Sequence, residues 1–512
     1  MDKNLTVINN VKSKGLKNMK LANMLVGIEG LKLRGELDTE ITGIESNSLK
    51  IEKGNLFIAI KGFSADGHEY VEKAIENGAI AVMLDSKFDI KSLNIPKEII
   101  VILAEDTRKA SGIVACNFYG NPTKKMKLIG VTGTKGKTTT TFMIKEILEK
   151  AGKKVGLVGT IATYINGKKY KESDRTTPDA LELQYLFSEM LKNGVEYAVM
   201  EVSSQSLKLN RVIGCEFDLA VFTNFSKDHI SKNEHPDMED YFNSKLELFK
   251  MCKNAIVNID DLQVSKMPKL FPESNIVTYG IDNHANMLAR DITVTNMFVD
   301  FRAKINGKNE RIKVGIPGRF SVYNSLAAIG VAEKFGVATD NIKQALLEVR
   351  VPGRSELVDN NLEIPVMIDY AHSPESLQNI LSAVKSYTRG VVISVFGCGG
   401  DRDSSKRPIM GEISGKIADY TIITSDNPRT EVPEEIVNQI EVGIKKTKGK
   451  YEVIVDRKEA MEKAIKMATK RDIVVLAGKG HETYQEINHV KHDFNERVIV
   501  KEIFKKLEDK SK

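Results

Sequence analysis

The sequence predicts an α/β chain of three domains with mostly parallel sheets. Short apolar runs alternate with helical runs along the whole chain of 512 residues. Many of these runs are apolar on both faces, as strands buried in a parallel sheet are. Several finish in polar or glycine-rich residues, at the strand ends where open parallel sheets bind ligands. A length of 512 residues exceeds one ordinary core, since domains run to roughly 100–200 residues each.

Taken in order, the first strand candidates are "NLFIAI" (55–60), "AIAVML" (79–84) and "EIIVILA" (98–104). The Gly/Pro/Lys stretch "YGNPTKK" (119–125) then breaks the pattern. "KLIGVTG" (127–133), "KVGLVG" (154–159), "YAVMEVSS" (197–204) and "LAVFTNFS" (219–226) form the next group. A second break, "EVRVPGRSE" (348–356), precedes "VMIDYAH" (366–372), "VVISVFGCGG" (391–400), "YTIITSDNP" (420–428) and "DIVVLAGKG" (472–480). These breaks predict domains at 1–123, 124–350 and 351–512. There is no repeat of fixed period and no low-complexity segment.

Composition narrows the function classes. Hydrophobic residues make up 41% and charged residues 28%, as in ordinary globular proteins. A formal charge of +6 suits small anionic substrates and is no footprint for nucleic acid. The four cysteines, Cys116, Cys215, Cys252 and Cys398, have no C-x-x-C spacing, so neither zinc nor a disulfide framework is predicted. The N-terminus lacks the apolar centre of a signal peptide, and no uncharged run reaches the length of a membrane span. The expectation is a cytoplasmic protein, monomeric, acting on small molecules, with neither nucleic acid nor a membrane span.

The sharpest local signal is "GVTGTKGKTTT" (130–140), between an apolar run and the helical run "TFMIKEILEKAG". Strand, glycine loop and helix N-terminus together wrap phosphate oxygens with backbone N–H groups. Lys137 would reach the outer phosphates, and Thr138 would ligate Mg²⁺. The spacing departs from the strict G-x-x-x-x-G-K-[ST] form, because Val131 stands where the first glycine belongs. A phosphate loop serves kinases, ATPases and ligases alike.

The loop resembles the "TGTxGKTT" form of the Mur ligases and their folate-ligase cousins. "MEVSSQSL", "NFSKDHI", "PGRSE", "DYAHSPESL", "FGCGGDRDSSKRPIMGEI", "SDNPRTEVPEEI" and "GKGHE" resemble motifs of that family, in the same order. "ESNSLKIEKGNLFIAIKGFSADGHEYV" resembles its uridine-binding domain. The resemblance implies a central P-loop ATPase-like domain and a C-terminal Rossmann-like domain. It implies an ATP- and Mg²⁺-dependent ligase that adds meso-diaminopimelate to UDP-MurNAc-L-Ala-D-Glu through an acyl phosphate. A related enzyme adding L-lysine, or acting on another acceptor, is the alternative.

The resemblance also implies roles. Gly133, Thr134, Lys135, Gly136, Lys137, Thr138 and Thr139 would hold the ATP phosphates, and Asn324, Arg354, Asp369 and His372 the rest of the nucleotide. Glu201 and His229 would ligate Mg²⁺ with Thr138; a hard cation prefers oxygen, so Glu201 is the more natural ligand. His229 alone reads better as a hydrogen-bonding loop histidine. Lys245 occupies the place of a carbamylated lysine that holds a second Mg²⁺; alone it is a lysine on an amphipathic helix. Lys137, His229 and Lys245 form the catalytic set.

Ser46, Phe63, Ser64, Ala65, Thr176, Thr177, Ser203 and Arg211 would bind the nucleotide-sugar dipeptide. Arg402, Asp426, Asn427, Pro428, Arg429, Gly478 and Glu482 would bind diaminopimelate. Its distal carboxylate, which lysine lacks, suits the bidentate fork of Arg429, and its distal ammonium suits Glu482. Arg429 also reads as a helix-start residue in "NPRTEVPEE". The chain departs from the family at "ESN" (45–47), where "DSR" is usual. It departs again at Gln205, at Leu209 and at "SKNEHPD" (231–237), and these departures bear on the acceptor.

Overall fold

The structure, a computed structural model, describes residues 6–8, 19–62, 65–231, 234–271 and 275–510. Every strand run quoted above forms a strand, and the glycine-rich and polar tails of the runs from Lys127 onward lie mostly beyond the strand ends. The chain divides into two compact units, residues 1–141 with 151–278, and residues 142–150 with 279–512.

In the first unit, a six-stranded sheet runs in the order Thr6–Ile8, Leu31–Arg34, Ile100–Ala104, Ala81–Asp85, Asn55–Ile58, Gly43–Glu45. Its last four strands are parallel, and the first two pair antiparallel at the edge. Asn55–Ile58 and Ile100–Ala104 are buried along their whole length, as their continuous apolar composition requires.

The second sheet of this unit has the order Lys168–Glu172, Ala162–Ile165, Val155–Val158, Tyr197–Glu201, Lys127–Thr132, Leu219–Phe222, Asn254–Asn258. Lys127–Thr132 is central and lies parallel to both neighbours. The register sets Glu201 opposite Val131 and Phe222 opposite Thr132. Three carboxyl ends therefore open side by side, beneath the loops the sequence marks as functional. Gly130 is needed inside this strand, because a Cβ there would stand 2.7 Å from the ring of Phe217.

In the second unit, Arg290–Val294, Val299–Ile305 and Lys308–Val314 form an antiparallel ribbon. A six-stranded sheet follows the order Glu356–Leu357, Val366–Asp369, Ile473–Ala477, Val392–Phe396, Tyr420–Ile423, Lys450–Val453. All but the first strand are parallel. Asp369 and Phe396 both stand opposite Ala477, and Phe396 opposite Ile423, so these carboxyl ends are also level. Two apolar clusters, one on each face, pack this sheet against its helices. The hairpin Tyr484–Ile487 with Val490–Asp493 was not anticipated from the sequence. Among the described residues, no helix is long and apolar enough to cross a membrane.

Candidate active site

The phosphate loop lies between the strand Lys127–Thr132 and the helix Lys137–Lys150. Gly133 has φ +142°, and a Cβ there would meet Thr223 Oγ1 at 1.9 Å, so only glycine fits. Neighbouring loops brace the turn: Thr134 N donates to Asn224 O (2.9 Å) and Lys135 N to Asn224 Oδ1 (2.9 Å). Lys137 Nζ donates to the carbonyls of Gly133 (2.9 Å) and Thr134 (3.0 Å). Thr138 and Thr139 are buried at the start of the helix.

Thr138 Oγ1 donates to Glu201 Oε2 at 2.9 Å, joining two of the predicted metal ligands. Glu201 also accepts from Thr160 N (2.8 Å) and Thr160 Oγ1 (3.1 Å). One carboxylate ringed by hydroxyls is a hard-oxygen donor set, which suits Mg²⁺ held largely by phosphate oxygens. His229, at φ +57°, is exposed; its ring faces Glu234 Oε1 (3.2 Å) and Asp228 Oδ2 (3.9 Å). Among the described residues, no group of three or more His, Cys, Asp or Glu side chains is placed to hold a metal.

Lys245, on the helix Met238–Lys250, is 1% exposed. Its Nζ donates to Gly133 O at 2.9 Å and lies 4.5 Å from the centroid of Tyr241. Burial drives its amine well below the ordinary value, and the charge of Lys137 pushes the same way; Asp228 opposes them.

A cleft of about 620 Å³ in the first unit brings together Ser46, Thr176, Thr177, Ser203 and Arg211 with Lys137, His229 and Lys245. Ser203 caps the helix Ser204–Lys208, accepting from Ser206 N. Thr177 Oγ1 donates to Glu201 O at 2.9 Å, and Arg211 Nη1 to Thr177 O at 3.1 Å. Ala65 is exposed, and its carbonyl accepts from Gly62 N of the cleft wall. Phe63 and Ser64 lie outside the described residues.

The cleft also holds residues the sequence reading missed, among them Arg108, Arg175, Asp179 and His235. Asp179 pairs with Arg211 Nε (2.9 Å) and with Arg175 Nη1 (2.6 Å). His235 is fully buried, with Nδ1 2.6 Å from Asp240 Oδ2 and Nε2 2.9 Å from Ser204 Oγ. It lies within the divergent "SKNEHPD", so that departure still supplies a histidine to the cleft. Gln205 and Leu209 also line it. Asn47 of "ESN" caps a short turn, accepting from Leu49 N.

In the second unit, Asp369 accepts from Ser355 N (2.8 Å) and Ala371 N (2.9 Å). The Arg354 guanidinium lies 5.0 Å from the centroid of Tyr370, and His372 Nδ1 is 2.8 Å from Tyr370 O. Asn324 is buried on the helix Arg319–Lys334.

The remaining predicted residues converge on the other strand ends of this sheet. Gly478 has φ +118°, and a Cβ there would lie 2.6 Å from Asp426 Oδ2. Asn427 Nδ2 donates to Glu482 Oε2 at 2.8 Å. Arg429, at φ +53°, donates from Nη1 to Gly400 O (2.7 Å) and from Nε to Glu486 Oε2 (3.1 Å). Pro428 carries the chain past Gly400, where a Cβ would stand 1.9 Å from Pro428 O. Arg402 is exposed beside them. Lys479, Glu486 and the buried pair Arg457–Glu496 were not singled out from the sequence.

Comparison with known proteins agrees with this geometry. Three family models match in order: Mur ligase family, catalytic domain (40–119); Mur ligase middle domain (131–332); and Mur ligase, glutamate ligase domain (353–480). A UDP-N-acetylmuramoyl-L-alanyl-D-glutamate–2,6-diaminopimelate ligase of Caldanaerobacter subterraneus subsp. tengcongensis is 49% identical over 486 residues, covering 95% of this chain and 99% of the relative. The ligase of the same name from Clostridioides difficile is 45% identical over 493 residues, covering 96% and 100%. A solved structure of that name superimposes with a TM-score of 0.71 at 30% identity, covering 96% of this chain and all of that one. With three family models in order and near-complete coverage by relatives, the chain belongs to the Mur ligase family and has its three-domain α/β fold.

Proposed function

We propose that this ATP-dependent ligase adds meso-diaminopimelate to UDP-MurNAc-L-Ala-D-Glu in peptidoglycan precursor synthesis. The observation that carries the reading is the convergence of Asp426, Asn427, Arg429, Gly478 and Glu482 on one set of strand ends. These residues offer an arginine fork and a carboxylate, the complements of diaminopimelate's distal carboxylate and ammonium. The names of the relatives support the same substrates.

A carboxylate is a poor electrophile and must be activated before an amine can attack it. The D-glutamyl carboxylate takes the terminal phosphoryl group of ATP and becomes an acyl phosphate, with ADP released. The amine of diaminopimelate then attacks that carbonyl carbon, phosphate leaves, and the amine nitrogen gives up a proton. Negative charge grows on oxygen in both steps, so fixed cations and N–H donors supply most of the rate. Gly133 to Thr139 would hold the phosphates, with Lys137 turning from loop carbonyls to phosphate oxygens. Ser46, Thr176, Thr177, Ser203 and Arg211 would position the dipeptide end of the first substrate.

Thr138 and Glu201 would hold Mg²⁺, whose chemistry is to neutralise the phosphate oxygens. His229 joins them in this reading through the family resemblance. Lys245 has the environment that carbamylation needs, a buried amine shifted toward its neutral form. The carbamate would turn a cation into an anion beside the phosphate loop. Asn324, Arg354, Asp369 and His372 would contact the rest of ATP. We place the domains at 1–123, 124–350 and 351–512, and expect a cytoplasmic monomer.

The test is ligation by the purified chain with ATP, Mg²⁺ and UDP-MurNAc-L-Ala-D-Glu, with meso-diaminopimelate or L-lysine offered in parallel. Product mass with diaminopimelate alone supports the reading. Product with lysine alone retains the enzyme class and removes the role given to Arg429.

A further inference from the structure

Lys479 sits in the middle of "GKGHE" and is 0% exposed. Its Nζ donates to Asn427 Oδ1 at 3.0 Å and lies 3.3 Å from Glu482 Oε2. The rings of Tyr484 and Phe494 flank it, with centroids 5.7 and 5.9 Å away. Asn427 Oδ1 also accepts from Glu486 N at 2.9 Å. With two donors on its oxygen, the carboxamide has one orientation, and its Nδ2 is turned to Glu482.

Glu486 acts on the other half of the pocket. Its carboxylate accepts from Arg429 Nε, and its backbone carbonyl accepts from Arg429 N at 3.0 Å. The guanidinium is thereby fixed in plane between Glu486 and Gly400 O. Among the charged side chains gathered here, Arg429 and Lys479 face Asp426, Glu482 and Glu486.

We propose that Lys479 and Glu486 are positioning residues that aim Arg429 and Glu482 at a zwitterionic amino-acid head. The proposal rests on the functional reading above and adds its selectivity device. A zwitterionic head brings no net charge and pairs with both an arginine fork and a carboxylate. A purely cationic head leaves the Arg429 fork facing an ammonium. Lys479 restrains Glu482 from becoming a general cation site, and Glu486 keeps the Arg429 fork turned to one carboxylate.

The experiment measures kcat/KM for meso-diaminopimelate and for L-lysine in the full-length chain, as wild type, K479M and E486Q. K479M leaves Glu482 without its counter-charge and should shift the diaminopimelate-to-lysine ratio toward lysine by about tenfold or more. E486Q, a nearly isosteric change at a partly exposed site, should raise KM for diaminopimelate about fivefold or more with no gain for lysine, as the fork loses its aim. KM for ATP should hold in both. General damage to the fold would lower both amines together and leave the ratio unmoved, which overturns the proposal. If wild type prefers lysine, the functional reading falls and the inference with it. If wild type takes diaminopimelate and both variants keep its ratio within about twofold, only the inference falls.

Discussion

Lys245 and Lys479 are both closed off from solvent, at 1% and 0% exposure, yet they are held in opposite ways. Lys245 donates to a loop carbonyl, and its nearest charge effects are the like charge of Lys137 and the weaker opposing pull of Asp228. Lys479 rests between an amide oxygen and the carboxylate of Glu482. The phosphate-loop region buries a cation with little to balance it, and the strand-end region of the second unit pairs the buried Arg407, Arg457 and Lys479 with Glu431, Glu496 and Glu482. An unbalanced buried amine is pushed toward its neutral, reactive form. A balanced one serves as a fixed strut. In the function proposed above, the two regions divide chemistry from selection.

The largest expected effect comes from breaking a balanced pair. Arg457 and Glu496 are both 0% exposed as side chains, and the guanidinium also donates to Ser425 O and Ala477 O. R457M leaves Glu496 charged and buried and should cost about 3–5 kcal/mol, read by chemical denaturation. A loss below about 1 kcal/mol would show that balance is not what holds these strand ends. The double variant R457M/E496M should recover much of that loss.

Next comes the unbalanced amine. K245R keeps the positive charge but cannot form the lysine carbamate, so the ligation rate should fall about 10²–10³-fold. A ¹³C-bicarbonate NMR carbamate signal should appear in wild type and vanish in K245R. Near-normal ligation by K245R would place Lys245 with the struts instead. R429A is expected to be milder, costing about 2 kcal/mol in kcat/KM for diaminopimelate by loss of a charge-assisted fork. An equal loss for every substrate would show that Arg429 holds the fold rather than the amino acid.

The smallest effect is on stability against pH. The folded-state value of Lys245 lies well below the ordinary 10.5. Between those two values the unfolded chain binds more proton than the folded one, so stability rises with pH through that window. Below the lowered value the full cost of charging the buried amine is present. In bicarbonate-free buffer, where the amine is uncarbamylated, K245M should flatten this slope in denaturation curves across that range, and an unchanged slope would mean the amine is not titrating where its burial puts it.

The parallel strands and the phosphate loop were legible because their signals are local. "KLIGVTG" is an apolar run ending in glycine, and Gly133 is demanded by one turn. Ser203 and Arg211 were legible through the motifs around them, and both line the cleft. Glu486 was not. "YQEI" shows no strand alternation, and the partner of Glu486 stands 57 positions earlier. Lys479 between two glycines reads as a solvated loop lysine, and only the packing of Tyr484 and Phe494 buries it. Arg457 begins a charged helix, and nothing nearby says that its head turns inward to Glu496. His235 carries no local sign of its place in the cleft, since "SKNEHPD" is otherwise polar. For Glu486 and Arg457 the missing information was a contact between distant segments.

That distance has a consequence for synthesis. The hairpin Tyr484–Asp493 locks Arg429 through Glu486, and Glu496 closes the buried pair last. A chain emerging from the ribosome completes its phosphate loop some 350 residues before these partners exist. Until the final helix is made, the sheet of the second unit lacks one of its covering helices and Arg457 lacks its partner. Truncations in the last few dozen residues, which remove Glu496 with the buried Ile499, Val500, Ile503 and Phe504, are therefore expected to unfold that unit and abolish ligation.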